Sequence, residues 1–107
     1  MIGNPLQPGS NNADTERALE ELPEKVGEAL MAWRKATLNR ERVEALALLR
    51  FKAEDKERPA TEIKALVHSD AERYQSVLDE IVAEGLYTKL LETLLSAKKI
   101  ASIRTAF

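Results

Sequence analysis

The chain has no cysteine, which excludes disulfides, zinc–thiolate sites and thiol chemistry and suits a reducing cytosol. Beyond residue 12 only Pro23, Gly27, Pro59 and Gly85 remain to break or weaken a helix. Aromatic residues make up 5% of the chain, and charged residues 32% against 44% hydrophobic, as in a helix-rich soluble chain. No apolar run approaches the ~18 residues of a membrane span. The first residues lack the basic start and apolar stretch of a secretory signal. These absences point away from membranes, metals and cofactors and towards the cytoplasm.

What is present is helical periodicity. From Ser69 to Phe107, Val77, Leu78, Ile81, Val82, Leu86, Leu90, Leu91, Leu94 and Leu95 recur at steps of three and four. That spacing stacks one apolar side chain above the next on a helix. Ser69 or Asp70 suits the N-cap, Glu72 the first turn, and Lys98, Lys99 and Arg104 the far end. The pattern predicts one helix over about 70–105, on the order of 50 Å at 1.5 Å per residue. A compact domain of this size has a radius of gyration of about 13 Å. So long an apolar stripe needs a second long helix, a second copy of the chain, or both.

Residues 1–12 mix Pro, Gly, Asn and Ser without periodicity and read as a disordered arm. Residues 13–107 then form a single helical domain that oligomerises. Asn12 or Asp14 caps a short segment through Leu22, and Pro23 opens a long helix over about 23–57. Val26, Leu30, Trp33, Thr37, Leu48 and Phe51 share one face of it, and Glu44 falls on the same stripe. Pro59 ends this helix, and Thr61 caps a short connector to about Val67. The expected fold is all-α: two long helices and a short connector, a helical hairpin that assembles into an oligomer.

Net charge is −2, but it is unevenly placed. Residues 33–58 hold eight basic and five acidic side chains, and residues 93–107 hold three basic and none acidic. On a helical projection Arg34, Lys35, Arg42, Arg50, Lys52 and Lys56 fall within about half the circumference. A one-sided basic stripe of that kind can follow a phosphate backbone. Trp33 and Phe51 lie beside it in sequence but on the apolar stripe, so they read as core rather than as a base-stacking platform. Glu16, Glu20, Glu24 and Glu28 would form an acidic ridge if the helix ran unbroken past Pro23. His68, Ser69 and Asp70 are consecutive and point in different directions, so they read as a helix start and not as a catalytic triad. Leu94, Ile100, Ile103 and Phe107 are the candidate subunit contacts, a large terminal ring being one that a neighbour would hold.

The order of several features resembles the UvsY-type recombination mediators of tailed phages. The similar parts begin with a tryptophan and basic stretch, Trp33 to Arg42. A long helix with basic residues near its end follows, then Glu62-Ile63-Lys64-Ala65-Leu66-Val67 leading to Asp70. The ending is Ile100-Ala101-Ser102-Ile103-Arg104-Thr105-Ala106-Phe107. The resemblance spans about residues 30–107. It implies a helical oligomer that binds single-stranded DNA and helps load a RecA-like recombinase past single-strand-binding protein. It also implies DNA contact by a basic pair near the end of the first long helix. Arg50 matches one member, Leu48 stands at the other position, and the Pro59 turn replaces the family's glycine-containing insertion. The expected function is therefore a non-enzymatic, DNA-binding recombination accessory protein of phage type. The alternative is a structural or adaptor protein whose long helices bind partner helices and no nucleic acid.

Overall fold

The computed structural model describes residues 12–106. It contains three helices: α1 over Asn12–Glu54, α2 over Ala60–His68 and α3 over Ala71–Ala106. No strand occurs among the described residues. No helix among them is long and apolar enough to cross a membrane. The all-α reading, with two long helices and a short connector, holds. The arm expected over 1–12 lies outside the described residues except for Asn12, where α1 begins.

The helices differ from the sequence expectation at two boundaries. Pro23 does not open a new helix but lies inside α1. A proline removes one backbone hydrogen bond and costs a helix interior about 3 kcal/mol. Pro23 is exposed, so a carbonyl left without its partner there can bond water. The flanking Glu20, Glu21, Glu24 and Lys25 favour helix on both sides. With α1 continuous, Glu16, Glu20, Glu24 and Glu28 do form an exposed ridge. The second difference is at α2, where Pro59 occupies the N-cap without a side-chain cap bond and Thr61 lies within the helix. The Ile63 N–H reaches the Pro59 carbonyl at 3.1 Å and starts the ladder.

Tertiary contacts divide the chain into two units. One comprises residues 32–84, namely the second half of α1, all of α2 and the first part of α3. Its buried side chains are Val43, Ala47, Ile63 and Ser76. Arg40 Nε donates to both Glu80 carboxylate oxygens at 3.0 Å. Arg73 Nε meets Glu44 at 3.2 Å, and Arg50 Nη2 meets Asp70 at 2.6 Å. As α1 advances from 40 to 50, its partner retreats from Glu80 on α3 to Asp70 just before that helix, so the two helices run antiparallel in this unit. The turn between α1 and α2 is closed by the Arg58 N–H on the Asp55 carbonyl at 3.1 Å. Arg58 Nη1 also donates to the Phe51 carbonyl at 2.8 Å.

The other unit comprises residues 1–31 and 85–107. Its buried side chains among the described residues are Ala29, Leu94 and Ala97. In both units the most deeply buried positions are alanines, Ala47 and Ala97 at 0% exposure. A methyl group fills little space, so full burial means that neighbouring atoms close in around the helix backbone. Larger side chains are left outside: Met31, Leu38, Leu46, Leu49, Tyr74, Ile81, Val82 and Leu86 are all at least half exposed. Scattered singly these would be ordinary; repeated along the helices they are surface that a soluble monomer rarely shows.

Candidate nucleic-acid interface

The six basic residues of the sequence stripe fall into two groups. Arg34, Lys35 and Arg42 are exposed on α1, and their cationic groups have no partner among the described residues. Lys35, Leu38, Arg42, Ala45 and Leu49 follow one another at steps of three and four, so they share one side of the helix. That side is opposite to Arg40, Val43 and Ala47, which pack inward. It is therefore a mixed face: two cations from the stripe alternating with apolar side chains, with Arg34 flanking it.

Arg50, Lys52 and Lys56 are exposed too, but two of them are engaged in holding the fold. Arg50 pairs with Asp70 and places its guanidinium 4.7 Å from the centre of the Phe51 ring. Lys52 Nζ donates to the Lys56 carbonyl at 2.7 Å and the Arg58 carbonyl at 3.3 Å. Both carbonyls lie in the turn after α1, which Lys52 thereby ties back to the helix. Lys56 sits on the turn itself. The pair that the family resemblance would place on DNA is thus one residue that ties α1 to α3 and one leucine, Leu48, which is half exposed.

The acidic end of α3 explains the first of these bonds. Asp70 Oδ2 accepts from the Arg73 N–H at 3.1 Å, the geometry of an N-cap, so that of the two candidates Ser69 and Asp70 the second is the cap. That backbone bond, followed by the Arg50 guanidinium, holds the Asp70 carboxyl below the usual range. Glu80 is likewise lowered, first by a hydrogen bond from Thr37 and then by Arg40. Arg40 is raised in return, chiefly by its bond to Glu80. The Arg40–Glu80 and Arg73–Glu44 pairs escaped the sequence reading because their partners lie 40 and 29 residues apart. One signal was visible: Glu44 falls on the apolar stripe, and a carboxylate on a packing face calls for a cation.

His68, Ser69 and Asp70 also serve helix ends. The Ser69 hydroxyl donates to the Ala65 carbonyl at 2.8 Å, closing α2. His68 Nδ1 lies 3.2 Å from Arg73 Nη1, which donates to it. Beside them is an open groove of about 470 Å³ with Leu48 and Val67 in its lining. Glu41 and Glu44 line it from α1, and Lys64, His68 and Arg73 from α2 and α3. No cluster of metal-ligating residues occurs among the described residues.

The candidate subunit contacts are placed unevenly. Leu94 is buried in its own chain at 7% exposure, Ile100 is half-buried and Ile103 is half exposed. Phe107 lies outside the described residues. Comparison with known proteins gives no relative to name: no protein-family model, curated protein or solved structure matches this chain.

Proposed function

We propose that this chain is a non-enzymatic, self-associating helical protein that holds single-stranded DNA in the host-cell cytoplasm. The observation that carries this reading is the α1 face with Arg34, Lys35 and Arg42 exposed and without protein partners among the described residues. A cation already paired with a carboxylate gains little from a phosphate, whereas an unpaired one releases counterions when a strand arrives. The intervening Leu38 and Leu49 give bases an apolar surface on which to rest. Each copy offers few phosphate contacts, so useful affinity comes from several copies on one strand. The resemblance to UvsY-type mediators supplies the rest of the proposal, namely the loading of a RecA-like recombinase past single-strand-binding protein.

A salt titration of fluorescence anisotropy on a labelled single-stranded oligonucleotide tests it. Binding is expected to weaken with salt at a slope of about −0.7 per neutralised phosphate. Changing Arg34, Lys35 and Arg42 together to Ala is expected to flatten that slope by about two per copy. A second reading is favoured by the same face's Leu38, Leu46 and Leu49, each more than half exposed. It makes the chain an adaptor that docks partner helices. An intact helical sample that ignores a long oligonucleotide in low salt decides for the adaptor.

A further inference from the structure

Among the unpaired cations of α1 stands an unpaired carboxylate. Glu41 is exposed, has no partner among the described residues, and is next in sequence to Arg42. On a surface that only gripped phosphates it would repel the strand. Arg34, Glu41, Ala45 and Leu48 follow at steps of seven, four and three, so they share one side of α1. The last three line the open groove of about 470 Å³. Arg34 therefore lies on the groove's own side of the helix, about two turns before Glu41. Inside the groove most charges are already engaged. Glu44 pairs with Arg73 at 3.2 Å, and Arg73 also bonds His68. Lys64, which lines the groove from α2, is exposed and has no partner among the described residues. Glu41 and Lys64 thus border one groove with opposite charges, yet no ion pair joins them.

We infer that this groove seats one unstacked base of the bound strand, guanine before the others, with the base edge on Glu41 and a neighbouring phosphate on Lys64. The inference rests on the DNA reading and adds a base preference to it. Unstacked bases of single strands are read on their exposed hydrogen-bonding edges. A carboxylate only accepts hydrogen bonds, and its two oxygens suit two donors side by side. Guanine offers that pair, N1–H and the N2 amino group. Adenine and cytosine offer one amino group each, and thymine one N–H between two carbonyls that a carboxylate repels. The apolar part of the lining, with Leu48 and Val67, suits the faces of the ring. The volume lies in the usual range of small-ligand sites, about 300–1,000 Å³. A partner helix could use the apolar lining too. It gives no reason, however, for two unpaired cations, Arg34 and Lys64, to accompany one unpaired carboxylate. A nucleotide within a strand needs both kinds of contact, phosphate on the cations and base on the carboxylate.

Fluorescence anisotropy with two labelled strands of equal length tests it, one all thymine and one of alternating thymine and guanine. The full chain is expected to bind the guanine strand about fivefold tighter or more. Glu41→Ala is expected to bring the two strands to the same affinity. Lys64→Ala is expected to weaken both, to lower the salt slope by about 0.7, and to keep the preference for guanine. Both replaced side chains are exposed and unpaired among the described residues, so the variants keep the fold, which circular dichroism checks. Equal affinity for the two strands, or a guanine preference that survives Glu41→Ala, overturns the proposal and leaves the DNA reading standing. Binding of neither strand ends both and gives the groove to a partner helix. Free deoxyguanosine monophosphate that competes as well as the strand also overturns it, since the groove would then hold a nucleotide without being part of a strand's path.

Discussion

The two units hold their helices by different means. In residues 32–84 charged side chains reach between α1 and α3 at three levels, Arg40 to Glu80, Arg73 to Glu44 and Arg50 to Asp70. In residues 1–31 and 85–107 no ion pair occurs among the described residues, and burial falls on Ala29, Leu94 and Ala97. The contrast separates two jobs that packing and polar bonding perform. Alanines let helices come close but scarcely resist sliding, since one methyl resembles the next. A guanidinium N–H shared between both oxygens of one carboxylate, as Arg40 Nε is with Glu80, exists in one register only. The unit with the ion pairs also carries the connector, where register has to be fixed.

The largest expected effect is in the unit of residues 1–31 and 85–107. Leu94→Ala removes the only large side chain buried there among the described residues, at a cost of about 2–4 kcal/mol. Hydrogen exchange is expected to quicken over 85–103 well before it does over 32–84. Equal loss in both would mean that the units melt as one, and the distinction would go.

A smaller effect is expected from Arg40→Met, which keeps the length of the side chain but ends its bonds to Glu80 and Glu44. The Glu44 and Glu80 carboxylates are partly solvated, with 30% and 19% of their side chains exposed, so the cost falls between that of a surface and a buried pair, about 1–2 kcal/mol. Thermal unfolding would register it, and exchange would place it in 32–84. Adding Glu80→Gln to Arg40→Met should cost little more, because the pair is already gone.

The smallest effect is that of acid. The Asp70 and Glu80 carboxyls are held below their ordinary values in the folded chain. Such groups contribute stability above their unfolded pKa, and that contribution is lost as pH falls through the depressed folded value. Below about pH 4, protection over 32–84 is expected to decline more than over 85–103, which has no such pair to lose among the described residues. Exchange at pH 3 and pH 6, corrected for intrinsic rates, measures the difference. A steeper decline in 85–103 would reverse the comparison.

Parts of this arrangement were legible in the residues. Asp70 as a cap is a local matter, settled within three positions, and the structure has it. Pro23 was not, because the same proline suits a first turn and is tolerated inside a helix when it is exposed. The basic stripe was half legible. Projection on a helix places Arg50 and Lys52 correctly outside, yet cannot see that Asp70 and the carbonyls of Lys56 and Arg58 engage them.

By itself the sequence determined that this chain is helical, that a break at Pro59 separates the first long helix from the connector, and which residues can line an apolar stripe. Those outcomes follow from hydrogen bonds and spacings within a few residues. Tertiary structure alone decided which stripe became core and which stayed outside. Val43 and Ala47 turn inward while Leu38 and Leu49 remain in solvent, though all four belong to one apolar-rich stretch. Helical periodicity marks the faces that can be buried. Which one is buried depends on a partner tens of residues away, here chosen by Arg40 finding Glu80 and Arg73 finding Glu44.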